Sequence, residues 1–422
     1  MVEKRTPVPV KEAIERVMEN IGKGEVEEVS IHNSYGRRLA ETITAAHPVP
    51  PFDRSPYDGF AIRSVDSTGA SREQPVTFQV VEEIGAGFVS EKDLEPFQAV
   101  RIMTGAKIPE QCDAVVMLEL AQEDHDGTYP LMTIKREFEK NQNISFEGED
   151  TKAGSELVPA GTWIDPGVTA LLATFGYATV KVAKRPVVGV FATGTELLDV
   201  SDELEPGKIR NSNAYMMIAQ LQRAGAEPVY YGKLKDELEP CYEAVRQAAK
   251  ETDMVITTGG VSVGDYDLLP DVYERLGAEV FFNKVAMRPG SVTTVASWGG
   301  TLLFGLSGNP SACYMGFELF VRPVIQAMMH SERPHHTMVK AELAADFSKP
   351  NPFTRFVRGS CRAEGDRLYA EPGGFNKSSA VTSLAGANAC IVLPGGSRGY
   401  QQGDVVDVML LEDNEGQKEP LS

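Results

Sequence analysis

The segment TTGGVSVGDYD, residues 257–267, combines two kinds of group that phosphate chemistry uses. Gly259 and Gly260 let a turn expose backbone N–H donors, and with the Ser262 hydroxyl these suit a phosphate. Asp265 and Asp267 repel phosphate directly, but they suit Mg²⁺, which bridges carboxylate and phosphate oxygens. Two further segments repeat the donor half. FATGTEL supplies Thr193, Gly194 and Thr195 and adds the carboxylate of Glu196; LLFGLSGNPSA supplies Ser307, Gly308, Asn309, Pro310 and Ser311 ahead of a helix. Asp236, ending GKLKD, is a fourth carboxylate, so Glu196, Asp236, Asp265 and Asp267 form the candidate Mg²⁺ set. Lys284 and Arg288, in NKVAMRPGSVTTVA, are the candidate cations for an anionic ligand. A second cluster, PPFDRSPYDGFAIR, stiffens its backbone with Pro50, Pro51 and Pro56 and presents Asp53, Ser55 and Asp58. RIMTGAKIP adds Thr104 and Lys107.

These residues need a scaffold that brings distant segments to one edge. From Arg185 the pattern alternates buried β-type runs (VVGVFAT, AEPVYYGKL, DMVITT) with helical ones (NAYMMIAQLQRAG, ELEPCYEAVRQAAK, LLPDVYERLG). That alternation predicts a parallel α/β sheet, whose ligands sit beyond the carboxyl ends of the strands. One glycine turn after a strand is commonplace; three on one edge point to a binding site. Residues 72–140 alternate short strands with turns, and short strands return after His330. The expected fold is a multidomain α/β protein. An N-terminal helix and linking domain take 1–50 and 151–184, and a β-rich inserted domain takes 51–150. A central parallel α/β domain takes 185–330, and a C-terminal β domain takes 331–422.

Composition narrows the function. Sixty Asp and Glu against 41 Lys and Arg give a net charge of −19, which disfavours nonspecific binding to nucleic acid or anionic membrane. A small anion therefore needs a built site. No apolar run approaches the roughly 20 residues of a bilayer span, and the N-terminus does not read as a signal peptide. The five scattered cysteines lack CxxC spacing, so a thiolate zinc site is not expected and the expected compartment is the cytoplasm.

FDRSPYDGFA, RIMTGAKIP, GEDTKAG, TGTEL, RNSNAYM, TTGGVSVGDYD and GNPSA, in this order over nearly the whole chain, resemble the molybdopterin molybdenumtransferase family, the MoeA proteins and the matching E domain of gephyrin. The resemblance implies an enzyme that inserts molybdate into the dithiolene of adenylylated molybdopterin, with Mg²⁺, releasing AMP. It also implies a homodimer whose site lies between one subunit's α/β domain and its partner's β-rich domain. Transient contacts with the adenylylating enzyme and with molybdoenzyme acceptors would follow. By position, Asp58 and Thr104 match polar site residues, Glu196, Asp236 and Asp267 match acidic and metal-site residues, and Lys284 and Arg288 match an oxyanion-binding basic pair. Pro310 and Ser311 fall in the third loop, and Arg358, Ser378 and Ser379 fall where the C-terminal domain approaches the cleft.

Three departures remove expected contacts. Ser145, Phe146 and Glu147 stand where the family often has an arginine-rich run, Ser307 replaces a proline, and KPGKP has become RPGSV. Three alternatives to the molybdate enzyme therefore stay open: a tungstate-using enzyme, a weakened paralogue acting as molybdopterin carrier or scaffold, and a nucleotide pyrophosphate hydrolase.

Overall fold

The computed structural model describes residues 6–22, 24–125, 127, 129–234, 237–260, 268–349, 352–411 and 420. The chain divides into two units, residues 1–41, 160–166 and 179–422, and residues 42–159 and 167–178.

In the first unit the continuous apolar runs become strands β1 (Val187–Thr193), β2 (Glu227–Leu234) and β3 (Met254–Thr258). They are joined by helices α1 (Ser212–Ala224) and α2 (Leu238–Glu251). The Asn211 side chain caps α1 at the Ala214 N–H, and Gly225, at φ 93°, ends it in the left-handed conformation that glycine tolerates best. Helix α3 (Leu269–Leu276) leads to β4 (Glu279–Phe282) and the two-residue strand β5 (Met287–Arg288). Strands β6 (Thr294–Trp298) and β7 (Thr301–Leu306) complete a sheet of order β2-β1-β3-β7-β6-β4. Its β2-β1-β3-β7 core is parallel, as expected, and Phe191, Val255 and Leu303 pack with the helices over one face. The edge differs, because β6 runs antiparallel to both β7 and β4. Gly299 and Gly300, at φ 59° and 91°, close the β6–β7 hairpin, so the chain reverses there without a crossover helix.

The helix after β7 continues from Pro310 to Met328 with a π-helical turn at Phe317–Val321. The turn places Glu318 in the interior at 1% exposure. There the carboxylate accepts from Gln220, Arg223 and His336.

The last strands are β8 (Met338–Leu343), β9 (Thr354–Glu364), β10 (Arg367–Pro372), β11 (Ala389–Leu393) and β12 (Val405–Leu410). The ladders run β9-β10-β8-β12-β11, and β11 pairs back onto β9, closing a barrel. The short β5 joins this barrel by pairing parallel with β9. The same unit holds the N-terminal helix, Val10–Met18, and an antiparallel pair, Val26–Ser30 with Thr179–Ala183.

The second unit is built on a six-stranded sheet. Its order is Ala114–Met117, Gly59–Ile62, Gln98–Ile102, Val76–Ile84, Pro130–Ile134, Ala121–His125. Phe60, Phe78 and Met132 fill its core. All five cysteines are free, and four are buried; burial pushes the Cys112 thiol up to about 12. Among the described residues no helix is long and apolar enough to cross a membrane.

Candidate active site

Three neighbouring strands place three loops side by side. Ala192 of β1 is the register partner of Thr258 in β3, which is the partner of Leu306 in β7. The loops after these strands hold Thr193–Glu196, Gly259–Gly260 and Ser307–Asn309. The Thr193 hydroxyl donates to the Thr258 carbonyl at 3.2 Å, and the Gly259 N–H donates to Leu306 O at 2.8 Å. Gly259 requires its lack of a side chain: φ is 96°, and a Cβ would lie 2.6 Å from the Thr193 hydroxyl oxygen. Gly194, at φ 136°, leaves room for the Glu196 carboxylate, which folds back over it.

Thr195 and Glu196 are exposed, and the Thr195 carbonyl accepts from Lys208 Nζ. In the third loop the Asn309 N–H donates to the Ser307 hydroxyl at 3.2 Å, and Asn213 Nδ2 donates to Gly308 O at 2.8 Å. Asn213 lay within the quoted RNSNAYM motif but received no role from the sequence. Its Oδ1 is buried without a hydrogen-bond partner.

The helix start after the third loop binds the C-terminal barrel domain. The Ser311 N–H donates to Ser378 O at 3.0 Å, and its hydroxyl donates to Ala380 O at 2.5 Å. Ser311 is fully buried, so that hydroxyl serves as a structural tie between the helix start and the loop carrying Ser378 and Ser379. Pro310 occupies the first helical turn, where its missing N–H costs nothing.

Beside this tie is a cavity of about 460 Å³, with Arg288, Arg358, Ser378 and Ser379 in its wall. Arg358 is 1% exposed, and burial pushes its guanidinium below the ordinary arginine value. It donates to the Ser383 hydroxyl at 3.1 Å. Lys349, Arg355 and Lys377 also line the cavity, and among the described residues no carboxylate does. Sequence reasoning missed all three, since each reads alone as a solvated surface charge. Lys284 is not part of this wall; its carbonyl accepts from the Val8 N–H. Basic residues from Lys349, β9 and the 376–379 loop thus offset the loss of lysines from RPGSV.

In the second unit Asp58 and Thr104 meet directly. The Asp58 carboxylate accepts from the Thr104 N–H at 2.7 Å and from its hydroxyl at 2.8 Å. These donations hold Asp58 below the usual carboxylate range. Asp53 accepts from the Glu147 N–H at 2.8 Å, and Glu149 accepts from the Phe146 N–H and the Ser145 hydroxyl. Where the family often carries arginines, this chain builds a turn tied together by carboxylates.

Ser262, Asp265 and Asp267 lie outside the described residues, as does Asp236. Of the four carboxylates assigned to Mg²⁺, only Glu196 is described. Among the described residues no cluster of three His, Cys, Asp or Glu side chains could hold a metal ion.

Three regions of the chain match known families. Residues 8–176 match the MoeA N-terminal region (domains I and II), 189–327 a probable molybdopterin binding domain, and 340–411 the MoeA C-terminal region (domain IV). The chain is 60% identical over its whole length to the molybdopterin molybdenumtransferase of Bacillus subtilis, covering 98% of that protein. It is 51% identical over 421 residues to that of Staphylococcus aureus, with each chain covered completely. Two crystal structures of the molybdopterin biosynthesis MoeA protein of Pyrococcus horikoshii align with TM-scores of 0.84 and 0.80. They share 30% and 29% identity over 96% of this chain and 99% and 100% of theirs. On this full-length similarity, carried through every domain, the chain belongs to the MoeA family of molybdopterin molybdenumtransferases.

Proposed function

We propose that this chain carries out the metal-insertion step of molybdenum cofactor biosynthesis, taking molybdate and adenylylated molybdopterin as substrates and releasing AMP. One observation supports this most strongly: a cavity lined by five cations adjoins the helix start that follows one of three parallel strand-end loops. Donor-rich loops suit the phosphate and pterin side of a nucleotide-like substrate, and a cluster of cations suits a small oxyanion.

In this reading the backbone of Gly259, Gly260 and Gly308 orients the phosphoanhydride, and Asn213 holds Gly308 in place. Arg288 and Arg358 bind the oxyanion beside the dithiolene, with Ser378 and Ser379 as hydroxyl donors. Asp58, kept ionised by Thr104, is a fixed negative charge within the β-rich unit. Glu196, with Asp236, Asp265 and Asp267, would hold Mg²⁺. Carboxylate oxygens are the donors this hard cation prefers, and it would neutralise charge on the phosphoanhydride. Water or a molybdate oxygen attacks the phosphoanhydride as AMP leaves, so rate acceleration comes from positioning and electrostatics, with no protein nucleophile. The protein acts in the cytoplasm as a homodimer.

AMP release from adenylylated molybdopterin with Mg²⁺ tests the reading, compared without oxyanion, with molybdate and with tungstate. Release is expected to require an oxyanion. Asp58→Asn, which keeps the shape and removes the charge, should slow it by about 10²-fold, the scale of one preorganised electrostatic contact. Oxyanion-independent release would replace the reading with a hydrolase, and tight binding without release would replace it with a carrier.

A further inference from the structure

Five cations, Arg288, Lys349, Arg355, Arg358 and Lys377, line the basic cavity, and among the described residues none forms an ion pair. Two of them are forced together by the backbone. Arg288 in β5 and Arg355 in β9 are register partners in a parallel ladder. Partners of this kind leave the same face of a sheet with Cβ atoms about 5 Å apart, and like charges so placed repel.

Arg355 is also incompletely satisfied. Burial and then the neighbouring Arg288 both disfavour its charge. Its Nε is buried without a hydrogen-bond partner. The guanidinium carbon lies 5.5 Å from the centroid of the Phe347 ring, which restricts the side chain's orientation. A restrained, half-buried cation with an unpartnered Nε, set beside a second cation in the cavity wall, is matched to an anion that the protein does not supply.

We propose that Arg355 is a binding residue of the oxyanion subsite, acting with Arg288 as a two-guanidinium clamp on one free tetrahedral dianion. Two planar forks present enough N–H donors to share the four oxygens of such an ion with Arg358 and the two serine hydroxyls. Its double charge cancels the repulsion that the ladder imposes. Ser291, in the same wall, stands where the resembled KPGKP motif has lysine, so Arg355 returns from the barrel the charge absent at 291. The identity of the dianion as molybdate rests on the proposed function, whereas the clamp itself does not.

The test uses the full-length protein in two measurements: molybdate binding by calorimetry without the second substrate, and oxyanion-dependent AMP release. Arg355→Gln should weaken molybdate binding and raise its KM by about tenfold or more, the range for a charge-assisted hydrogen bond. The KM for adenylylated molybdopterin should change by less than about twofold, since no clamp contact falls on that substrate. Arg355→Lys should retain an intermediate affinity. Ser291→Lys combined with Arg355→Gln should recover molybdate binding, because it restores a cation to the same wall.

Unchanged molybdate affinity in Arg355→Gln would overturn the proposal. So would equal rises in both KM values with a lowered melting temperature, which would mark a structural role. A rise confined to adenylylated molybdopterin would place the residue at the substrate's phosphate and equally overturn it. If the wild type binds molybdate but releases no AMP, the functional reading fails while calorimetry still decides the clamp.

Discussion

His335 makes the stability of the larger unit depend on pH in a calculable way. It lies between the long helix and β8 and is 6% exposed. Burial, then the charge of Arg322 and the neighbouring His336, lower its pKa from 6.5 to about 4. The folded protein therefore binds this proton more weakly than the unfolded chain. The associated stability is fully present above about pH 6.5 and declines as pH falls toward about 4. At pH 5 the unfolded chain is almost wholly protonated at this site and the folded one hardly at all, a difference of about 2 kcal/mol.

Urea unfolding followed by tryptophan fluorescence at pH 8 and pH 5 measures this loss, because both tryptophans, Trp163 and Trp298, belong to this unit. His335→Gln removes the titration and keeps a polar side chain. Stability lost by the wild type between the two pH values should exceed the loss in the variant by about 2 kcal/mol, at unchanged m-value. Carboxylate titrations and that of His336 occur in both proteins and largely cancel. Losses equal within about 0.5 kcal/mol would refute the assignment of a neutral, desolvated His335.

Two further substitutions probe the interior and the loops. Glu318→Ala leaves the donors of Gln220, Arg223 and His336 around an empty acceptor site. It should cost about 3–5 kcal/mol in urea unfolding, and a loss below about 1 kcal/mol would mean the network is not holding the helix. Gly259→Ala combines a left-handed φ with a Cβ 2.9 Å from the Thr193 carbonyl oxygen, so the loop must move. Steady-state kinetics should show a KM for adenylylated molybdopterin raised by about tenfold or more, from a contact worth at least ~1.4 kcal/mol. An unaltered KM would remove this loop from the substrate site.

Legibility in the sequence followed the range of the interactions. The parallel strands were readable because each is a continuous apolar run ending in a turn, a signal contained within ten residues. The Asp58–Thr104 pair was reached through two local motifs, and its hydrogen bonds required only that both loops border one sheet. The antiparallel edge was overlooked although the adjacent glycines 299 and 300, between two β-type runs, encode a hairpin. The π-helical turn leaves no signature in FELFV, because a one-residue change of helical register is a tertiary accommodation. Least readable was the cavity wall. Lys349, Arg355 and Lys377 converge only when the barrel closes, and no local pattern distinguishes them from surface charges.

The β5–β9 pairing has a consequence for synthesis on the ribosome. Chains emerge from the N-terminus, so the strands of the α/β sheet and their three loops are available before β9 has been translated. Arg288 is made with that sheet, but the strand that holds it in register comes later, and β11 and β12 must follow before the barrel closes. The nascent polypeptide can thus present loops for a nucleotide-like substrate while its oxyanion clamp is still unassembled. An arrested chain ending before β9 would keep the loops and lack the clamp.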